Sequence, residues 1–399
     1  MKNRRLISLL IFAFVLTMLG QAYLTMYIPS LPIIARFYGV GHSTIKYSIT
    51  IFLFGFGISQ LFYGPCSDCF GRKKILLIGI IILIIGSILS VFSVYYTEFC
   101  ISRLVQGIGA GSTMVLMRAS LRDFFKGKQL AKVASYLTLG FAVGLGGGPV
   151  LGGIIQSYFN WRDNFVFLSI MSFLVLISVF FLYPERKKNE KIIRKKIVKS
   201  SLHNYCKIMR NRVFIKFLLG GICIYSISVA YNVMTPFLLQ NKFNLTPEQY
   251  GNIGLLVAAA SFSGAFVNSK YVKKITPEIM ILIGILVFLI SGIILSLFSI
   301  IDYVNVYSVI LPILFAIFAQ ALVWSNAVSG AMSSQSENVG TASALFSGLQ
   351  LIIVSCLSIV LSIIPDSTQT YFAIMIMVLG FFAIVIFYIK IPFYIFYKH

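Results

Sequence analysis

The chain is poor in charge, and poorest in negative charge. Only 11% of its 399 residues are Asp, Glu, Lys or Arg, where a water-soluble domain carries about a quarter. So few charges cannot cover a water-facing surface of this size, which excludes an ordinary soluble protein and leaves much of the exterior facing lipid. The eleven acids, from Asp68 to Asp366, fall in loops or at the ends of apolar runs, and no run holds an acid pair. The three histidines, His42, His203 and His399, also lie outside those runs. An intramembrane enzyme would need paired acids, a histidine cluster or an activated nucleophile within them, so no enzymatic activity is expected. Cysteine is scarce as well: of six, only Cys66 and Cys69 are close neighbours. Zinc needs a second ligand pair at suitable spacing, so no metal or other cofactor is expected. A phosphate-binding G-x4-G-K-S/T loop is missing too, which removes ATP as a power source. The net charge of +22 does not signal nucleic acid. Nucleic-acid binders gather cations on one folded face beside stacking aromatics, whereas here they sit in short runs between apolar stretches.

Those apolar stretches dominate what remains. The chain is 58% hydrophobic with a mean hydropathy of +0.92. Crossing the hydrocarbon core takes about 20 apolar residues in a helix. That ruler predicts spans near 6–28, 45–66, 75–95, 99–120, 131–156 and 163–183. A second set follows near 213–238, 249–270, 278–298, 305–328, 339–361 and 370–391, twelve in all. The apolar run after Arg5 is too long for a signal peptide and has no small-x-small cleavage site, so it reads as an uncleaved first span. Lys2, Arg4 and Arg5, then Arg72 to Lys74, Arg122 with Lys126 and Lys128, Arg186 to Arg212, Lys270 to Lys274, and Lys398 share one side. The other side has little beyond Arg36, Lys46, Arg162 and Lys242. By the positive-inside rule this asymmetry puts both termini in the cytoplasm of a multi-pass inner-membrane protein. The expected organisation is a six-helix bundle over 1–183, a basic linker over 184–212 that includes a surface helix, and a second six-helix bundle over 213–399. The halves echo each other, with Arg72-Lys73-Lys74-Ile75 matched by Val272-Lys273-Lys274-Ile275 between the second and third span of each. Such repeats belong to transporters whose substrate site lies at mid-membrane between the halves.

Three motifs carry a resemblance. Gly64-Pro65-Cys66-Ser67-Asp68-Cys69-Phe70-Gly71-Arg72-Lys73-Lys74 offers Gly64 for close helix contact, an acid at a helix end, Gly71 for a turn, and cations after it. It resembles the signature loop of the major facilitator superfamily. Arg103-Leu104-Val105-Gln106-Gly107-Ile108-Gly109 is similar to the R-x-x-Q-G-x-G motif of proton-linked members. Gly144, Gly148, Pro149, Gly152 and Gly153 match the G-x3-G-P-x2-G-G pattern of exporting antiporters. Glycines on one helix face admit close approach, and a proline permits a bend. Met26 to Pro32, Trp161-Arg162, Pro236-Phe237 and Gly340 to Ala344 look like the bicyclomycin-resistance (Bcr/CflA) branch of drug exporters.

The resemblance implies an all-α major facilitator fold and proton-driven export of small molecules by alternating access. Proton-coupled uptake symport, a siderophore or metabolite carrier and a non-transporting sensor are the rival readings; a channel would need charge rings or a carbonyl filter. A monomer in the bilayer is expected, with protons and a small-molecule substrate as its only partners. The first, fourth, seventh and tenth spans line the cavity in that family. Tyr23, Tyr27, Arg103, Gln106, Tyr231, Asn232, Gln320, Trp324 and Asn326 are therefore the candidate lining, with Arg103 the one ionisable group deep within a span. Relatives often carry an acid in the first span where this chain has Thr25. Two expectations follow: protons couple through Asp68, Arg72, Arg118 and Asp123, or the substrate is an anion or neutral molecule met by Arg103.

Overall fold

Proline and glycine set the breaks in the chain. In the computed structural model, which describes residues 2–125, 127–184, 204–272, 274–335, 339–364 and 369–388, helix α1 spans Lys2–Thr25 and stops ahead of Pro29. A 3₁₀ turn at Ile28–Ser30 leads into α2 (Leu31–Tyr38), with Pro32 in its first turn where no amide partner is lost. Gly39, at φ 62°, ends α2: its amide reaches Arg36 O and the Val40 amide reaches Ala35 O, a Schellman closure. Helix α3 (His42–Phe70) ends at Gly71, whose φ of 96° turns the chain into α4 (Arg72–Phe92). Then come α5 (Tyr96–Phe124), α6 (Gly127–Tyr158) and α7 (Trp161–Leu182). A helical turn at 204–209, α8, precedes α9 (Arg212–Phe237). A π-helical turn at Leu238–Lys242 extends α9. The last five helices are α10 (Pro247–Tyr271), α11 (Pro277–Ile300), α12 (Val306–Ser333), α13 (Val339–Ile363) and α14 (Gln369–Tyr388). Capping boxes start several of them, among them Asn160 with Asp163 on α7 and Thr246 with Gln249 on α10.

Twelve of these helical stretches are long and apolar enough to cross a membrane, α1 with α2 counting as one. They fall where the sequence places them. Helices α1 to α7 pack among themselves, as do α9 to α14, and the halves meet through two equivalent crossings. The second span of each half lies against the fifth of the other: α3 on α13, and α10 on α6. At the first crossing Thr50 and Ser358 hydroxyls meet at 2.5 Å. The outer helices α4, α7, α11 and α14 expose Ile85, Phe181, Ile290 and Phe381, apolar side chains suited to lipid. Of the 184–212 linker, residues 185–203 lie outside the described residues, as do Lys126, Lys273, Glu337, Asp366 and Lys398. The described part is anchored to both halves. Ile208 is buried, Tyr205 Oη donates to Leu61 O on α3 at 2.9 Å, and Asn211 Nδ2 donates to Ser334 O beyond α12 at 3.3 Å. Burial pushes the Tyr205 phenol up to about 12, with Asp68 adding to the effect, so it stays a hydrogen-bond donor at neutral pH.

Candidate functional site

The end at which α1 begins and α3 gives way to Arg72-Lys73-Lys74 is the basic end of the molecule. Between the halves, from mid-height toward this end, lies a cavity of about 560 Å³. Its walls come from Thr17, Gln21 and Leu24 of α1, Phe56 and Gln60 of α3, and Met114, Arg118 and Arg122 of α5. The second half contributes Tyr225 of α9, Gln320 and Trp324 of α12, and Phe346, Ser347 and Gln350 of α13. Trp324 Nε1 donates to Gln350 Oε1 at 3.2 Å, and the Ser228 hydroxyl donates to Gln320 Oε1 at 2.6 Å. Gln60 is 1% exposed, and its Oε1 has no hydrogen-bond partner.

The opposite end is shut. The His42 ring lies 4.6 Å from that of Phe237, and Lys46 Nζ sits 5.5 Å from the same ring. Gln240 Nε2 donates to Pro29 O at 2.9 Å, joining the end of α9 to the break after α1. Helix α6 completes the seal with two faces of different use. Cβ atoms at Gly148 and Gly152 would overlap Thr25 Oγ1 and Met26 O, and one at Gly144 would come within 2.6 Å of Met18 O. That face grips α1. A Cβ at Gly153 would overlap Pro247 O, and Pro149 lies against Gly251 and Gly254, so the other face grips α10 of the second half. Gly64 differs from expectation. A Cβ there would find Ala344 and Val115 at an ordinary 3.8 Å, so no close contact requires it.

Of the residues anticipated as lining, only Gln320 and Trp324 reach the cavity. Asn326 is two residues from Trp324, about 200° around the helix, and binds Asn268 Oδ1 at 2.6 Å and Leu322 O at 2.8 Å instead. Asn232 is buried off the cavity, and Tyr231 stacks on Tyr250. Arg103, Tyr23, Tyr27 and Gln106 lie inside the first bundle. Arg103 is fully buried, its guanidinium 4.1 Å from the Tyr27 ring centroid and 4.3 Å from that of Phe52. Its Nη2 donates to Tyr23 O at 3.1 Å and its Nη1 to Gln106 Oε1, while Nε has no partner. Tyr23 Oη meets the Ser87 and Ser172 hydroxyls at 2.9 and 2.7 Å, and Gln106 Nε2 donates to Ser90 at 3.1 Å. A cation is thus seated on one of the carbonyls in the last turn of α1. Arg118 is fifteen residues farther along α5, about 22 Å toward the basic end, which is why it reaches the cavity and Arg103 does not.

At that end Arg72 bridges two acids, Nη2 to Asp68 Oδ1 at 2.7 Å and Nε to Asp123 Oδ2 at 3.1 Å. Arg118 stays out of this pairing and crosses to the second half, donating from Nη1 to Ser347 Oγ at 2.7 Å. All four groups line a smaller pocket of about 270 Å³ with Tyr205, Gly340 and Thr341. The model of the Major Facilitator Superfamily matches residues 10–353.

This chain belongs to the Major Facilitator Superfamily. Within it, the chain is similar to the bicyclomycin resistance protein homolog of Haemophilus influenzae, 27% identical over 84% of both chains. It is 26% identical to multidrug resistance protein D of Escherichia coli over 95% of both. It is 28% identical to multidrug resistance protein MdtL of Klebsiella pneumoniae over 72% of both. A D-xylose-proton symporter superposes with a TM-score of 0.81 at 16% identity, covering 96% of this chain and 97% of that one, a likeness of fold alone. The facilitator is therefore a transporter and not an enzyme, and the resemblance to the bicyclomycin-resistance branch holds over most of its length. Sequence reasoning overlooked Gln21, Gln60, Arg122, Tyr225 and Gln350. The signal for the first was present, since Thr17, Gln21 and Leu24 recur at helical spacing on one face of α1.

Proposed function

We propose that the chain exports small molecules across the bacterial inner membrane by alternating access, in exchange for protons, with the basic end and both termini in the cytoplasm. The observation that carries this reading is the cavity between the halves, placed toward the basic end and sealed at the other. With cationic loops held inside, that state takes up its load from the cytoplasm. Rocking the halves about the α3–α13 and α6–α10 crossings would then close the basic end and open the α6–α10 seal. The names of the relatives, bicyclomycin and multidrug resistance, support outward movement of antibacterial compounds. Asp68 and Asp123 are the proposed proton carriers, because protonating either one removes one of the two ion pairs of Arg72 and loosens the basic end.

The experiment is proton flux in proteoliposomes challenged with a panel of antibacterials and aromatic metabolites. The parent is expected to move protons only when a transported compound is present, and Asp68→Asn or Asp123→Asn to abolish that flux. Transport with no proton movement would replace antiport by facilitated diffusion.

A further inference from the structure

The cavity carries the Arg118 guanidinium on its wall. Among the described residues its charged lining is Arg118 and Arg122, and no Asp or Glu contributes. Asp68 and Asp123 are engaged by Arg72 and line the smaller pocket, not the cavity. Arg118 has one hydrogen bond, to Ser347, and no ion pair among the described residues. A guanidinium held in a membrane span without a counter-ion is costly, and such a group turns toward a water-filled path or a partner. A cationic amphiphile entering here would meet the like charge of Arg118 at reduced dielectric. An anion would offset that charge with charge-assisted, bidentate hydrogen bonds. The second observation is Gln60, buried, lining the same space, and with Oε1 lacking a donor. The third is an aromatic wall, Tyr225 and Trp324, whose ring centroids are 6.4 Å apart and tilted by 36°.

We propose that the transported substrate is a small aromatic organic anion bearing a hydrogen-bond donor. Its carboxylate pairs with Arg118, its donor satisfies Gln60, and its ring lies along Trp324 and Tyr225. This assignment rests on the reading of the cavity as the transport site.

Binding is read by quenching of Trp324. The chain has two tryptophans, Trp161 and Trp324, and a Trp161→Phe background leaves only the one in the cavity. The probes are 4-amino-3-nitrobenzoate, its neutral amide, and the cationic 4-amino-3-nitrobenzylamine, added to the full-length protein in nanodiscs. The benzoate is expected to bind at least about tenfold more tightly than the amine. Arg118→Gln should erase that preference, and Arg118→Lys should keep it. Removing the probe's amino donor should weaken binding in the parent and change nothing in Gln60→Leu. The proposal is overturned if the amine binds as tightly as the benzoate, or if Arg118→Gln and Arg118→Lys weaken all three probes alike. Should Arg118→Gln fail to fold, the rank order in the parent decides. Uptake of the same probes into proteoliposomes separates the two readings. Benzoate bound but not moved would defeat the transport reading and leave the ligand class standing. Amine moved in place of benzoate would defeat the ligand class and leave transport standing.

Discussion

Two arginines on one helix, about four turns apart, have opposite employments. Arg103 is enclosed by Tyr27 and Phe52 and holds the carbonyl of Tyr23, so its contacts secure the end of α1 within the first bundle. Arg118 faces the cavity and reaches the second half through Ser347. Thermal unfolding of the purified protein should separate them. Arg103→Ala loses a charge at a helix end and the cation–π contacts with Tyr27, Phe52 and Phe165, and should be destabilised by about 2–4 kcal/mol. Arg118→Gln should melt near the parent. If Arg103→Ala were as stable as the parent yet unable to transport, Arg103 would instead belong to coupling. Thr25 shows the same logic on a smaller scale. Its hydroxyl donates to Gln21 O at 3.1 Å and to Gly144 O at 3.0 Å while lying against Gly148. A carboxylate in its place would confront those two carbonyls with no donor in return.

Helix α6 is the element in which packing and motion are joined. Its Gly144, Gly148 and Gly152 are fitted to α1 within the first half, whereas Gly153 and Pro149 are fitted to α10 across the halves. The two faces should respond differently to an added methyl. Gly153→Ala pushes against Pro247 O and should favour the state in which the far end is open, without unfolding the first bundle. Labelling of Thr235→Cys, buried near that seal, by an impermeant maleimide in a background lacking the native cysteines should rise several-fold; unchanged labelling would mean that α6 and α10 do not separate. The sequence was most informative at this scale. Apolar length and the turn at Gly71 act within a few residues, so the spans and the break between α3 and α4 could be read directly. Which face of each helix meets the cavity could not, because it depends on how neighbours rotate and stagger one another. Asn326 and Trp324 sit on one predicted span but on different sides of it, and Arg103 and Arg118 differ in depth rather than in face. The aromatic and amide character of the cavity was legible, but most of its members were not.

In the whole molecule, the halves are joined by two crossings related by the same second-to-fifth pattern. A carrier that rocks must shift both together. The Thr50 and Ser358 hydroxyls, 2.5 Å apart between α3 and α13, offer a way to stop it. Oxidising the Thr50→Cys, Ser358→Cys pair in a background lacking the native cysteines should abolish transport, and reductant should restore it. Undiminished transport by the cross-linked protein would show that this crossing does not shear.

The absence of any acid among the described cavity lining has an electrical side. In a membrane negative on the inside, a cavity that faces inward holds Arg118 at the favourable potential. Turning it outward while empty carries that positive charge uphill, at about 2.3 kcal/mol per full charge for each 100 mV. A bound monoanion cancels part of that work, so the membrane voltage would hold the empty carrier facing its supply and let the loaded one go.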